Sequence, residues 1–248
     1  MSARLRNPSL VVLALLVLGG VPRTARAAES EYDPLAGYGL YSARVGLWAG
    51  FVSGTVPASG AELAQKTFTA EFNGLLFDDH TVFGTLLGIE FDAALGLRTL
   101  DKPTNVTYPD GSTEGVRPVG RADFEFAYDL VRWKILGLRQ RIILNAGGGF
   151  DYNMLPWTLL EGSSGWRAYP LLGGHVQTSV GNAFVLDVSY RFVPTQSKDG
   201  VGFEHRAQVS LGIKRVVVGA HFTTTRLMSG ASGPADETQL GGFASWAL

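Results

Sequence analysis

The sequence predicts an all-β chain of ten antiparallel strands in up-and-down order, closed into a barrel. Three observations carry that expectation. First, segments of roughly 10–14 residues alternate between apolar and polar side chains, the period of a strand, whose successive side chains point to opposite faces. Residues 120–133 are the clearest case: Arg121, Asp123, Glu125 and Asp129 fall on one parity, and Ala122, Phe124, Phe126, Tyr128 and Leu130 on the other. A helix would scatter both classes around its circumference. Second, 32 glycines and dense aromatics make poor helix material, and no long segment holds a 3.6-residue period. Third, the connections alternate long and short along the chain, which gathers short turns at one rim and long loops at the other.

Taken in order, residues 40–52 set Ala43, Val45, Leu47, Ala49 and Phe51 against Ser42, Arg44, Gly46, Trp48 and Gly50. A loop at 53–66 follows. Residues 67–77 then set Phe68, Ala70, Phe72 and Leu76 against Thr69, Glu71 and Asn73, and Asp78-Asp79-His80 reads as a tight turn. Residues 81–100 carry Ile89, Phe91, Ala93, Leu95 and Leu97 against Glu90, Asp92, Gly96 and Arg98; the early part is apolar on both parities. A long polar loop at 101–119 contains Pro103, Pro109-Asp110-Gly111 and Pro118. The strand at 120–133 turns near 134–138 into residues 139–153, with Ile142, Leu144, Ala146, Phe150 and Tyr152 on one parity. Residues 154–167 form the next loop.

Residues 168–180 set Leu172, Val176 and Val180 against Gly173, His175, Gln177 and Ser179, and Gly181-Asn182 turns the chain. Residues 184–193 alternate as cleanly as 120–133: Phe184, Leu186, Val188, Tyr190 and Phe192 against Asp187, Ser189 and Arg191. After a loop at 194–202, residues 203–214 place Ala207, Val209, Leu211 and Ile213 against Glu204, Arg206, Gln208, Ser210 and Gly212. A very tight turn leads into 216–225, a glycine-rich loop covers 227–238, and 239–248 is the tenth strand.

Ahead of this pattern lies a different one. Arg4 and Arg6 precede an apolar run of about a dozen residues from Leu10 to Val21, and Ala25-Arg26-Ala27 is a small-x-small cleavage pattern. The run falls short of the roughly 20 residues a membrane helix needs. Residues 1–27 therefore read as a cleaved secretory signal peptide, 28–38 as a periplasmic lead-in and 39–248 as the barrel. The leader holds four arginines and no acid, so the remainder carries 17 basic and 22 acidic residues. Without a basic run or a basic face interleaved with aromatics, nucleic acid is not an expected partner. The chain has no cysteine, which excludes disulfides and thiolate metal sites. Its four histidines show no HxH or HExxH spacing, so neither metal nor cofactor is expected.

Periodicity does not say which face points inward; volume does. About five large apolar groups on each of ten strands overfill a barrel of this size, whereas the polar face is rich in small residues. The apolar parity therefore points out, toward lipid. The aromatics near strand ends form two interfacial belts, with Trp133 and Trp246 at the short-turn rim and Tyr152, Tyr169, Tyr190 and Phe192 at the long-loop rim. With this organisation the chain resembles the bacterial outer-membrane β-barrel class, and Gly242-Phe243-Ala244-Ser245-Trp246-Ala247-Leu248 is similar to that class's C-terminal assembly signal, though its final residue is Leu. The resemblance implies the outer membrane of a Gram-negative bacterium, both termini periplasmic, with lipid, lipopolysaccharide and envelope proteins as neighbours.

The inward set is Arg44, Glu71, Glu90, Asp92, Arg98, Arg121, Asp123, Glu125, Asp129, Asp151, Asp187, Arg191, Glu204 and Arg206. Opposite charges in a narrow lumen are expected to pair across strands, giving a salt-bridged plug; the rival reading is an ion path. If Val180 faces Phe184, His175 lies opposite Ser189 and Gln177 opposite Asp187, which brings a Ser, a His and an Asp together in the lumen. Those are residue types of nucleophilic catalysis, but no nucleophile elbow accompanies them, and a satisfied polar network is the expectation. Omptin-type proteases also have ten strands, yet their acidic and His–Asp pairs at the outer rim find no counterpart, because Asp78-Asp79-His80 falls on a periplasmic turn and His205 on the lipid-facing parity. Trp157 and Trp166 are the candidate contact residues of an outer loop. The function expected is a non-enzymatic surface scaffold, adhesion or anchoring component, within an envelope-spanning complex such as a secretion or motility machine, against a narrow selective channel and an outer-membrane hydrolase.

Overall fold

The computed structural model describes residues 44–55, 59–82, 85–100, 104–116, 118–135, 140–152, 166–180, 184–197, 200–213, 215–229 and 235–247. The leader and lead-in at 1–38 lie outside these residues, as does Trp157. Ten strands close an antiparallel barrel: β1 (Arg44–Thr55), β2 (Glu62–Val82), β3 (Thr85–Thr99), β6 (Val119–Ile135), β7 (Gln140–Tyr152), β8 (Trp166–Val180), β9 (Phe184–Ser197), β10 (Gly200–Ile213), β11 (Val216–Ser229) and β12 (Ala235–Ala247). Each pairs with its sequence neighbour, β3 with β6 across an excursion, and β12 with β1 from Arg44↔Ala247 to Gly54↔Glu237. Closure leaves none of these ten strands with a free edge.

The predicted parities set the faces. Leu47, Phe51 and Leu95 are each about two-thirds exposed on the outside, with Phe68, Leu97, Phe124, Phe150, Leu172 and Leu240. The inside holds Arg98, Arg121, Glu125, Asp129, Asp151, Asp187 and Glu204, all buried. This is a water-soluble barrel turned inside out. Such an exterior is stable only against hydrocarbon, so the strands cross a membrane.

Several expected loops are shorter than their composition suggests. Strand β1 runs to Thr55 and β2 begins at Glu62 inside the predicted loop at 53–66, β9 runs to Ser197 and β10 begins at Gly200 inside the one at 194–202, and β11 runs to Ser229 and β12 begins at Ala235 inside the one at 227–238. A span needs only ~9–11 residues per strand. Beyond that height the outward side chains meet water, so alternation fades while the hydrogen-bond ladder continues. The turn expected at Asp78-Asp79-His80 is instead strand: β2 runs to Val82, absorbing the polar triplet through register shifts at Leu75/Phe77 and Phe77/His80. The polar loop at 101–119 contains a two-stranded hairpin, β4 (Thr104–Thr107) and β5 (Thr113–Val116), outside the barrel sheet. Its tip carries Gly111 at φ 82°, and Asp110 accepts from the Ser112 amide at 2.9 Å and its hydroxyl at 2.6 Å.

One irregularity explains an aromatic belt residue. A register shift between Asp129 and Val131 switches the parity of β6, so that Trp133 points outward beside Ile142 rather than into the lumen. Inside, large rings lie over glycines. A Cβ on Gly149 would sit 2.7 Å from the Tyr169 ring, and one on Gly241 2.7 Å from Trp48 Nε1. These strands have glycine there because nothing larger leaves room for the aromatic.

Candidate functional site in the barrel lumen

The alternation of β3, β6, β8, β9 and β10 aims their polar side chains at one another across the lumen. Glu125 on β6 is the hub. It accepts from Arg191 Nη1 on β9 at 2.6 Å, from Arg206 Nη1 on β10 and from the Tyr169 hydroxyl on β8 at 2.6 Å. Arg191 also reaches Asp92 at 2.8 Å and Glu90 at 3.5 Å, both on β3. Arg206 pairs with Glu204 as well and lies 3.6 Å from Asp123. Arg167 at the start of β8 binds Asp151 and reaches Glu204 at 3.3 Å. Round the barrel, β9 stands three places from β6 and four from β3, and β10 four from β6, so these arginines bridge nearly opposite walls. A second tie joins Arg98 on β3 to Glu237 on β12 through two bonds of 2.8 and 3.1 Å.

The register over β8–β9 is the predicted one, His175↔Ser189 and Gln177↔Asp187. The imidazole, however, faces carboxylates: Nε2 lies 3.0 Å from Glu90, and Nδ1 3.4 Å from Asp187. Asn145 donates to Glu90 at 2.9 Å and Gln177 to Asp187 at 2.7 Å. Ser189 makes no hydrogen bond to His175 among the described residues. What remains open between these groups is a cavity of about 130 Å³, lined among others by Arg44, Trp48, Glu71, Arg121, His175 and Ser189. It has room for several waters.

Every residue of the predicted inward set lies on the lumen side, Arg44 and Glu71 half-buried and Asp129 fully buried. Of the belt residues, Trp133, Tyr190 and Trp246 are exposed outside, and Tyr152 and Phe192 are half-exposed. Tyr169 is a correction. It is 4 % exposed, inside the lumen, with its hydroxyl also 2.7 Å from Asp123. The reason is parity: Tyr169 shares that of Gly173, His175 and Gln177, and nearness to a rim does not override it. Trp166 begins strand β8 rather than lying in a loop, and its ring meets Tyr152 on the outside at 5.0 Å.

Sequence reasoning missed several lumen residues. Arg167 and Glu237 were within predicted loops, whereas Trp48, Arg141 and His221 lay on inward parities that alternation alone makes legible. His205 sits on the outer face among Phe192, Phe203 and Tyr190, as its parity predicts.

No protein-family model matches the chain, and no curated protein does. Among solved structures it is similar to the translocator domain of autotransporter NalP from Neisseria meningitidis, at 10 % identity over 84 % of this chain and 89 % of that one, with a TM-score of 0.47. The outer membrane protease OmpT from Escherichia coli follows at 8 % identity, 84 % and 97 % coverage and a TM-score of 0.43. A Pseudomonas aeruginosa FadL homologue gives 8 %, 88 %, 93 % and 0.32 in the same order. These are outer-membrane barrels, and no site residue is carried across from them.

Proposed function

We propose that this chain is an outer-membrane barrel with a closed lumen that acts as a non-enzymatic surface scaffold, an anchoring or adhesion component of an envelope-spanning assembly such as a secretion or motility machine. The observation that carries this reading is the bridge from Arg191 and Arg206 to Glu125 and Asp92 across the barrel, with Glu204 holding Arg206 from its own strand. A path for ions through that layer requires breaking several buried pairs, each costly to lose. His175, held between two carboxylates, has no hydroxyl to activate, which supports a structural rather than a catalytic role. Both termini are periplasmic in this reading. The exposed tip of the β4–β5 hairpin then faces outward as a contact element, and the aromatic belts seat the barrel in lipid and lipopolysaccharide.

Planar-bilayer recording tests it. The wild-type barrel is expected to give no steady conductance steps, and Arg191→Ala with Arg206→Ala together should introduce them. Stable ion-selective steps from the wild type would favour the narrow channel instead.

A further inference from the structure

Two kinds of environment are seen among the lumen arginines. Arg98, Arg167, Arg191 and Arg206 each hold at least one carboxylate. Arg121, 7 % exposed, holds none among the described residues: its Nη1 donates to Thr67 Oγ1 at 3.0 Å, and its Nε is buried without an acceptor there. The carboxylates whose field reaches it most strongly, Asp123 and Glu237, are engaged by Tyr169 and Arg206 and by Arg98, while Arg98 and Arg206 repel it. A guanidinium buried without a counter-charge is costly, so this one calls for a negative partner from outside the chain.

A second buried donor lies beside it. The Arg121 guanidinium sits 5.4 Å over the ring of Trp48, which is 4 % exposed and whose Nε1–H finds no acceptor among the described residues. Both side chains line the cavity of about 130 Å³. Arg44 lines it too; its Nε donates to Asn73, its Nη1 is buried without an acceptor, and no carboxylate stands at ion-pair distance among the described residues. Guanidinium and indole N–H groups donate and never accept, so their ligand must be an acceptor. The cavity is too small for the organic ligands that fill pockets of roughly 300–1,000 Å³. A monovalent ion loses less on desolvation than a divalent one. We propose that the lumen cavity beside Arg121 and Trp48 binds a small monovalent inorganic anion of the chloride kind. Seven carboxylates line the same cavity; six are already engaged by Arg98, His175, Arg191 or Arg206, and the seventh, Glu71, for which no ion pair is found among the described residues, opposes that anion and limits its affinity. The site does not depend on the scaffold role.

The test uses the full-length barrel in detergent, comparing sodium bromide and chloride with sodium gluconate at constant ionic strength. The unfolding midpoint of the wild type should rise saturably in either halide, by about 2–4 °C at some five times the Kd. Crystals grown in bromide should show an anomalous peak at hydrogen-bond distance from Arg121. Arg121→Met should abolish the rise, Trp48→Phe should weaken binding roughly 5–10-fold by removing one N–H, and Glu71→Gln should tighten it. A wild type indifferent to halide, an equal rise in Arg121→Met, a response to phosphate alone, or bromide found only elsewhere overturns the proposal. Should Arg121→Met not fold, Trp48→Phe and the wild-type bromide map decide.

Discussion

Glu125 shows how much one side chain holds when it is buried among opposite charges. Two arginines and a tyrosine hydroxyl converge on it, from three other strands. Replacing it by Ala leaves two guanidiniums short of an acceptor in the lumen, and the expected loss is about 3–5 kcal/mol. The exposed pair Arg226–Asp236, at 3.5 Å, has both side chains more than half exposed, and Asp236→Ala should cost under about 1 kcal/mol. Urea-driven unfolding from lipid vesicles measures both; equal losses would contradict the burial argument. The same scale marks what a sequence tells and withholds. Arg121, Asp123 and Glu125 were legible as inward because a strict alternation surrounds them. Their partners were not, since pairing three or four strands round the barrel depends on closure and tilt, which no local pattern encodes. Tyr169 illustrates the opposite error, in which an amphipathic residue near a rim suggests an interface although its parity already places it inside.

At the scale of the element, the strands that cross lipid were readable and their ends were not. Hydrocarbon demands an apolar outward face, and water above it demands nothing, so β9 continues to Ser197 and β10 begins at Gly200 inside the predicted loop without a periodic signature. The β4–β5 hairpin escaped for the same reason: four-residue strands in a polar stretch show little period. Its turn does carry a titratable device. The Ser112 hydroxyl and amide hold the Asp110 carboxyl below the usual aspartate range. A carboxyl depressed in the folded turn stabilises it fully above about pH 4, the ordinary Asp value, and that support fades as pH falls through the lower folded value. Hydrogen exchange at the Ser112 amide should therefore be flat from neutrality down to about pH 4 once corrected for intrinsic rates, and lose protection below that. Asp110→Ala should remove the pH dependence along with the protection.

For the whole molecule, the question is which solvent touches the outer face. Leu95, 68 % exposed in mid-β3 and opposite Ala70 and Ala122, separates the two possibilities. If water covers this face, Leu95→Arg replaces one exposed side chain by another and changes stability within about 0.5 kcal/mol. If hydrocarbon covers it, the guanidinium enters the bilayer and the cost is about 2–4 kcal/mol near the midplane. The inward Ser189→Ala, with no side-chain hydrogen bond among the described residues to lose, serves as the control and should change little in either solvent. Folding equilibria in vesicles should therefore show a large penalty for Leu95→Arg and almost none for Ser189→Ala. A wild-type chain that folds without detergent or lipid and tolerates Leu95→Arg would remove the membrane, and with it the reason for a charged interior: burying an ion-paired core costs desolvation that only an apolar exterior committed to lipid compels this sequence to bear.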